Sequence, residues 1–344
     1  GVLRDSVAAH GGRAWCTAFA PDGHRLATAG RDGLIKLWDV CPEDQRTFEV
    51  ATNAPDEVHM YWATFLPDGR TLLTWTAGTG ELARLEAFSG RRVPRSGEPA
   101  NSSIMPTLSA TGRLVTVSPD QRCILHIWDL AGGPTHTYRH SQPIGAVRIS
   151  PDGKMLAFVD IPGVLCLWEV GAAELRSLRL GSIGWHRLAF TPDGRTLAVD
   201  DFSRILLVDV AAGQAIGVLS GHTEGVNDLA FSPDGRLLAS AANDSTVRLW
   251  DVATGRERSC HWQRRRRMYA VAFSADGKTL ASSGMDGPII RWDPVRGQEL
   301  MRLDAGGGVT AVAFSADSKM LAACHTGSSQ ESRLVTVWYG EGVR

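Results

Sequence analysis

The sequence predicts an all-β repeat fold of eight small sheets, and two observations lead to this prediction. The first is the turn motif Phe-Ser-Pro-Asp-Gly at 231–235, which recurs eight times in more or less altered form, about every 41 residues. The last residues of the eight copies are Gly23, Gly69, Gly112, Gly153, Gly194, Gly235, Gly277 and Ser318. A period in the forties is typical of repeat architectures, in which each unit buries its apolar faces against its neighbours.

The second observation is the strand pattern inside one repeat, which is clearest at 221–260. The four predicted strands are 226–231, 237–242, 246–252 and 256–260. Proline presets φ in the turn after the first strand, and glycine gives that turn the backbone freedom it needs. The first two strands carry apolar or small residues on both faces, as in sheets that are covered on both sides. Four-stranded blades stacked radially meet that requirement.

Size and composition favour one large β domain over two separate domains. The chain has 344 residues, 43% of them hydrophobic and 21% charged, and a net charge of −1. The repeats run from about residue 10 to 342 without a segment long enough to be a linker. The near-zero net charge gives no general attraction to nucleic acid or to an anionic membrane. We therefore predict a single domain with no membrane contact.

The six cysteines are scattered along the chain without the paired spacing of a zinc or redox site. They indicate a reducing compartment, so we expect the cytoplasm. The histidines show no metal-ligand spacing and no glycine-rich phosphate loop is present, so we expect no metal and no cofactor. Because the chain opens at Gly1, directly before the first repeat, we also expect it to be a piece of a longer protein.

The repeat with Gly221-His222 and Trp250-Asp251 resembles a WD repeat of the β-propeller family, and the resemblance covers nearly the whole chain. It implies a buried tetrad of His, Ser or Thr, Asp and Trp in each intact blade. The matching residues are His10, Thr28, Asp32 and Trp38; His222, Ser240, Asp244 and Trp250; and Ser282, Asp286 and Trp292. The repeat style is similar to bacterial WD-repeat proteins, in which such propellers are often fused behind other domains.

The last repeat has too few residues after Trp338-Tyr339 for a fourth strand. We predict that residues 2–7 supply that strand, which would remove an exposed sheet edge. This arrangement gives eight four-stranded blades, with seven as the alternative. The predicted blades are 10–50, 58–96, 102–139, 140–180, 181–220, 221–260, 261–303, and 304–339 together with 2–7.

His222, Ser240 and Asp244 have the residue types of a nucleophilic triad, which needs an exposed serine next to oxyanion donors. The same set recurs at the first repeat, and a catalytic site would rarely be duplicated in this way. We therefore interpret the set as structural: the Trp250 indole donates to Ser240, Ser240 donates to His222, and Asp244 orients the imidazole.

A second group of candidates begins the innermost strands, where the loops would surround a central channel. The group contains Trp15, Tyr61, Ile104, Gly145, His186, Asn227, Tyr269 and Thr310, with Trp62 and Trp185 beside it and Arg31 next to Asp32 in the first repeat. Aromatic and arginine side chains concentrate at protein interfaces. Hence Trp15, Arg31, Tyr61, Trp62, His186 and Tyr269 are predicted to bind a partner. The alternative is that several of these rings only fill space between blades.

Four consecutive arginines, Arg264, Arg265, Arg266 and Arg267, lie between the sixth and seventh repeats. They repel one another, so an acidic protein or peptide would be a favourable partner. The alternatives are a solvated loop and, less favoured by the net charge, a nucleic-acid contact. Taken together, the sequence predicts a non-enzymatic scaffold that binds a partner protein or peptide on the loop face. The other hypotheses are a ligand- or peptide-sensing regulatory domain of a larger signalling protein, and a propeller enzyme acting at the channel mouth.

Overall fold

The computed structural model of the protein describes most of the chain, and every regular element in the described part is a β-strand. The described residues are 3–8, 10, 14–30, 32, 34–40, 47–51, 59–77, 79–86, 91–93, 101–118, 122–130, 132, 136–182, 186–262, 267–285, 288–304, 308–326 and 334–339.

The strands follow one another along the whole chain with short turns between them. The first eleven are β1 (Leu3–Ala8), β2 (Ala14–Phe19), β3 (Arg25–Gly30), β4 (Leu34–Asp39), β5 (Thr47–Ala51), β6 (His59–Phe65), β7 (Thr71–Ala77), β8 (Leu82–Glu86), β9 (Thr107–Leu108), β10 (Arg113–Val117) and β11 (Ile124–Asp129). The next ten are β12 (His136–Arg139), β13 (Ile144–Ile149), β14 (Met155–Asp160), β15 (Val164–Glu169), β16 (Leu175–Arg179), β17 (Leu188–Phe190), β18 (Thr196–Asp201), β19 (Arg204–Asp209), β20 (Gln214–Ser220) and β21 (Val226–Phe231). The last ten are β22 (Leu237–Ala242), β23 (Thr246–Asp251), β24 (Glu257–Trp262), β25 (Met268–Phe273), β26 (Leu280–Gly284), β27 (Ile289–Asp293), β28 (Gln298–Leu303), β29 (Gly308–Phe314), β30 (Met320–Thr326) and β31 (Leu334–Tyr339).

The strands form eight sheets, which belong to two compact units of the chain. Unit 1 consists of residues 1–94, 245–247 and 261–344, and unit 2 of residues 95–244 and 248–260. Unit 1 contains the sheets β2–β5, β6–β8 and β25–β28, and the sheet of β29, β30, β31 and β1. Unit 2 contains the sheets β9–β12, β13–β16 and β17–β20, and most of the sheet β21–β24. The sheet count agrees with the prediction of eight blades and not with the alternative of seven. The expectation of a single domain, with its blade boundaries, stays a prediction.

The N-terminal strand completes the last sheet, as the sequence predicted. Strand β1 pairs antiparallel with β31 over six residues, from Leu3 opposite Tyr339 to Ala8 opposite Leu334. The predicted segment 2–7 is therefore displaced by one residue. The two ends of the described chain are hydrogen-bonded in one sheet, so this sheet depends on residues that are far apart in sequence.

The second sheet departs from the predicted four strands. Its described part has the three strands β6, β7 and β8, and a single bridge between Leu85 and Arg92 lies where a fourth strand was expected. The Val93 amide also donates to the Arg84 carbonyl (2.9 Å), so the described residues after β8 continue to pair with it.

The core lies between the faces of successive sheets inside each unit. In unit 2, for example, Val159 and Leu167 of one sheet pack in a cluster with Leu188, Leu197 and Val208 of the next. Strand β22 is buried along its whole length, with no alternation between its faces. This burial on both sides explains why β22 carries only apolar and small residues.

The recurring turn motif is held by an aspartate in most of its copies. At 232–235 the Ser232 hydroxyl donates to Asp234 Oδ1 (2.6 Å), which also accepts from the Arg236 amide (3.1 Å). These contacts hold the pKa of Asp234 below its usual range, with the Ser232 hydrogen bond as the main cause. Gly235 adopts φ +71°, a left-handed conformation that favours glycine. Equivalent aspartates occur at Asp152, Asp193, Asp276 and Asp317.

Candidate functional site

The two complete predicted tetrads form closed hydrogen-bond chains in the structure. In the sixth repeat the Trp250 indole N–H donates to Ser240 Oγ (2.8 Å), and Ser240 lies 2.6 Å from His222 Nε2. The other imidazole nitrogen, Nδ1, is 2.9 Å from Asp244 Oδ2. Burial lowers the pKa of His222, with Asp244 opposing the shift, so the neutral ring donates from Nδ1 and accepts from Ser240. The Ser240 side chain is fully buried (0% exposed), which is the opposite of what an acyl-transfer nucleophile requires.

The first repeat has the same geometry within unit 1. Thr28 Oγ1 accepts from the Trp38 indole (3.0 Å) and lies 2.9 Å from His10 Nε2, while His10 Nδ1 is 2.9 Å from Asp32. In the seventh repeat the Trp292 indole donates to Ser282 (2.8 Å). Asp286 lies outside the described residues. His261, three positions too early for the tetrad, stacks on the Trp292 ring at 3.9 Å between centroids.

Two acidic partners in the fourth and fifth repeats were missed by sequence reasoning. His140 Nε2 lies 3.2 Å from Asp160 Oδ2, and His186 Nδ1 lies 2.7 Å from the backbone carbonyl of Asp200. The available signal was an aspartate at the end of the second strand, where the intact repeats have small residues such as Ala242. These repeats thus keep a His–Asp contact in a geometry different from the tetrad.

A cavity of about 350 Å³ lies in unit 2. Four of the predicted strand-start residues line it together: Ile104, Gly145, His186 and Asn227. Arg148, Arg187, Met105, Ala146, Val147, Leu188 and Val226 complete the lining. Its volume is in the range of ligand-binding pockets, and its lining is partly apolar and partly basic.

Hydrogen bonds connect the charged groups around this cavity, and burial shifts the pKa values of two of them. The Arg187 amide donates to the Asp200 carboxylate, and the Arg148 Nε donates to the Leu188 carbonyl (3.1 Å). Burial raises the pKa of Asp200 to about 6, although the Arg187 amide and His186 oppose the shift. Burial also lowers the pKa of Arg148, while Asp228 acts against that effect. Arg148 remains cationic at neutral pH because guanidinium titrates far above it.

Two large apolar side chains are exposed at turns that follow second strands in unit 2. Ile161 follows β14, and Phe202 follows β18 with 60% of its surface exposed. Phe202 also has φ +63°, a left-handed conformation that is rare for a bulky residue. Sequence reasoning did not identify either side chain, because an isolated exposed apolar residue has no sequence pattern.

The remaining predicted partner residues fall in different surroundings. Trp15, Trp62 and Tyr269 are partly buried on β2, β6 and β25 of unit 1. Arg267 is exposed. Arg31, Trp185, Arg264, Arg265, Arg266 and the side chain of Tyr61 lie outside the described residues. Thr310 donates to the Ala14 carbonyl (2.7 Å), so in this case the packing alternative fits better than partner binding.

Thiols and possible metal ligands are further reactive groups in the described part of the chain. Five cysteines, Cys16, Cys123, Cys166, Cys260 and Cys324, are free thiols. Burial raises the pKa of Cys16 to about 11 and that of Cys166 to about 12, so both thiols are poor nucleophiles. Among the described residues no cluster of three His, Cys, Asp or Glu could hold a metal ion. Those residues also include no helix long and apolar enough to cross a membrane.

Eight sheets in sequence order, with a Trp–Ser/Thr–His–Asp chain in the intact repeats, define an all-β repeat protein of the propeller class. The sequence model of the WD40 family (WD domain, G-beta repeat) matches residues 1–39, 213–251, 256–293 and 297–338. The crystal structure of the C-terminal WD40 domain of Sif2 superposes with a TM-score of 0.77 over 96% of this chain and 97% of that chain, at 13% identity. Four segments of the chain thus match the WD40-repeat family, and the chain has the fold of an eight-bladed propeller.

Curated relatives match only part of the chain. Telomerase protein component 1 of Rattus norvegicus is 29% identical over 177 residues, which is 46% of this chain and 6% of that protein. Periodic tryptophan protein 2 of Arabidopsis thaliana is 29% identical over 162 residues, 44% of this chain and 17% of that protein. Striatin-4 of Homo sapiens is 24% identical over 175 residues, which is 49% of this chain and 23% of that protein. The chain spans less than a quarter of each relative. All three come from eukaryotes and do not support the expectation of a bacterial-type protein.

Proposed function

We propose that the chain is a non-enzymatic protein-interaction module that binds its partner at one end of the unit 2 sheets. This end is where the inner strands begin and the second strands finish. WD40 propellers generally act as interaction scaffolds, which supports the broad function. The observation that carries the location is the exposed, left-handed Phe202 at the same end as the cavity.

The backbone connects these features. The Val226 amide, at the start of inner strand β21, donates to the Phe202 carbonyl (3.0 Å). The Ile161 amide donates to the Pro143 carbonyl (2.8 Å), next to the start of β13. Val226 also lines the cavity. The two exposed apolar side chains and the basic cavity therefore belong to one end of unit 2.

The conformation of Phe202 is unfavourable for folding alone. A left-handed backbone costs a non-glycine residue about 1 kcal/mol or more, and the exposed ring recovers little of this by burial. Such an outlier supports a functional hypothesis, and an exposed aromatic is a common anchor at protein interfaces. A partner that covers the ring would supply the missing burial.

Phe202→Asn tests this proposal because stability and binding should change in opposite directions. Asparagine tolerates φ near +60°, so the free energy of unfolding should stay the same or rise by about 0.5–1 kcal/mol. The wild-type and variant chains would be immobilised, and the proteins retained from an extract of the source cells would be identified by mass spectrometry. At least one protein bound by the wild type should be lost by the variant.

Ile216→Asn is the matched control, since Ile216 is 59% exposed on the outer strand of the same sheet. Partners lost by Phe202→Asn should still bind this control. If every retained protein binds all three chains equally, the proposed location is wrong. A wild-type chain that retains no protein at all would contradict the interaction module itself.

Further proposals remain from the sequence. The five free thiols support a reducing compartment such as the cytoplasm. Two proposals rest on the sequence alone. One is a regulatory role inside a longer chain, and the other is contact of an acidic protein or peptide with Arg267 and its neighbouring arginines. A ligand-sensing role is the second candidate, because a cavity of about 350 Å³ is large enough for a small molecule.

A further inference from the structure

We propose that the unit 2 cavity is a carboxylate-binding subsite that receives an acidic side chain of the partner protein. This inference rests on the proposed function and adds the chemistry of the group that is recognised. This subsite is distinct from the arginine run at 264–267, because its basic groups line a cavity.

The first support is the sign of the charges. The ionisable side chains lining the cavity are all basic: Arg148, His186 and Arg187. The nearby carboxylates, Asp200 and Asp228, are not part of the lining, and Asp200 accepts from the Arg187 backbone amide. An anion entering the cavity would thus meet donors. Guanidinium groups suit carboxylates because their N–H groups match the two oxygens.

The second support is the unused nitrogen of His186. Its side chain is 6% exposed, and Nδ1 donates to the Asp200 carbonyl, which can only accept. Nε2 is buried without a hydrogen-bond partner among the described residues. A buried polar atom left unpaired is unfavourable. Because Nδ1 carries the proton of the neutral ring, Nε2 pairs with a carboxylate once the imidazole has gained a second proton.

The apolar part of the lining narrows the ligand further. Ile104, Val147, Leu188 and Val226 contribute apolar surface beside the basic groups. A free inorganic anion would leave that surface uncovered. An acidic residue with an apolar neighbour in a peptide would fill both parts, so a protein segment is the favoured source of the carboxylate.

The geometry also predicts proton uptake on binding. Because Nδ1 already donates to Asp200, Nε2 can donate to a carboxylate only when the imidazole is doubly protonated. The charged groups beside His186 are Asp200 on β18, whose Oδ1 lies 3.8 Å from Nδ1, and its chain neighbour Arg187. Arg148 on β13 lines the same cavity and interacts with Asp228 on β21. Protonation of Asp200, whose pKa is raised to about 6, also favours an anion. Affinity should therefore increase as the pH falls toward 6.

The experiment is a selection of random dodecapeptides displayed on phage against the wild-type chain at pH 6. Selected peptides would be synthesised with each acidic residue or with its amide, and titrated against wild type, Arg187→Gln, Arg148→Gln and His186→Asn. The amide exchange should weaken wild-type binding about tenfold or more. In Arg187→Gln the acid and amide forms should bind with nearly equal affinity. Glutarate, a free dicarboxylate, is the competitor that reveals a small-molecule site.

Arg179→Gln is the control, since Arg179 is exposed on the outer strand β16 and does not line the cavity. Arg187 is exposed, so its variant should fold even if the variants of the buried groups do not, and melting curves verify this. Peptides that bind without an acidic residue, or an acid–amide difference that persists in Arg187→Gln, would overturn the subsite. A selection that yields no peptide, or glutarate binding as tightly as the peptides, also overturns it. None of these results removes a partner captured through Phe202, so the two proposals fail separately.

Discussion

Replacing Thr28 with valine should destabilise unit 1 more than replacing Ser282 with alanine. Both side chains are fully buried and accept a hydrogen bond from a tryptophan indole, at 3.0 Å from Trp38 and at 2.8 Å from Trp292. Only Thr28 has a second partner in the described residues, the His10 Nε2 atom at 2.9 Å. Valine keeps the shape of threonine and removes the hydroxyl, so the comparison isolates the hydrogen bonds.

The magnitude follows from the groups left unpaired. Each buried donor or acceptor that loses its partner costs about 1–3 kcal/mol. Thr28→Val leaves the Trp38 N–H and His10 Nε2 without their partner, for a loss of about 2–6 kcal/mol. Ser282→Ala leaves only the Trp292 N–H without its partner, for a loss of about 1–3 kcal/mol. The expected difference between the two variants is therefore one unpaired group, about 1–3 kcal/mol.

Urea unfolding followed by tryptophan fluorescence and far-ultraviolet circular dichroism measures this difference. Because both positions belong to unit 1, they report on the stability of the same unit, and an unchanged slope with urea would indicate the same unfolding reaction. If Thr28→Val costs no more than Ser282→Ala, the histidine contact contributes nothing and the tetrad is not the stabilising chain inferred here.

Three further predictions concern the ends of the chain, a close contact and a buried acid. Deleting residues 1–8 should lower the melting temperature sharply, because it removes the partner of all six residues of β31; an unchanged melting curve would contradict the role of this strand. Gly30→Ala should lower the free energy of unfolding in urea by about 1–3 kcal/mol, because the added Cβ would lie 2.5 Å from the His10 ring. Gly217→Ala is the control and should be tolerated, because its Cβ would meet no atom closer than 3.8 Å. Asp200 holds its proton more tightly in the folded chain, with its pKa raised to about 6, than in the unfolded chain, where about 3.9 is usual. The free energy of unfolding should therefore fall by at most about 3 kcal/mol as pH rises from about 4 to 6, and Asp200→Asn should flatten that dependence. Equal pH profiles for the wild-type and Asp200→Asn chains would exclude this contribution of Asp200.

The parts of the structure that sequence reasoning predicted are those fixed by local patterns. The turn at Asp234 depends on residues within five positions of one another, so every copy of the motif marks a strand end. The closure by β1 was predictable because the last repeat lacks the residues for its own fourth strand. The sequence predicted only part of the cavity: Ile104, Gly145, His186 and Asn227 share one register position. It did not reveal that Arg148 reaches the Leu188 carbonyl of the next repeat, or that Asp200 contacts His186 from strand β18 of the same repeat.

The histidines of this chain separate structural from functional positions by how completely their nitrogens are used. His222 has a partner at each nitrogen and lies in a closed chain, so it has no capacity left for a ligand. His186 uses Nδ1 only, and it lines a cavity whose other charged groups are basic. In the Phe202 turn the structural and functional groups are also separate: a hydrogen bond from the Val226 amide holds the Phe202 carbonyl, while the Phe202 ring is exposed. Since that bond involves only the main chain, changing the side chain should leave the turn intact, and binding can therefore be altered there without loss of stability.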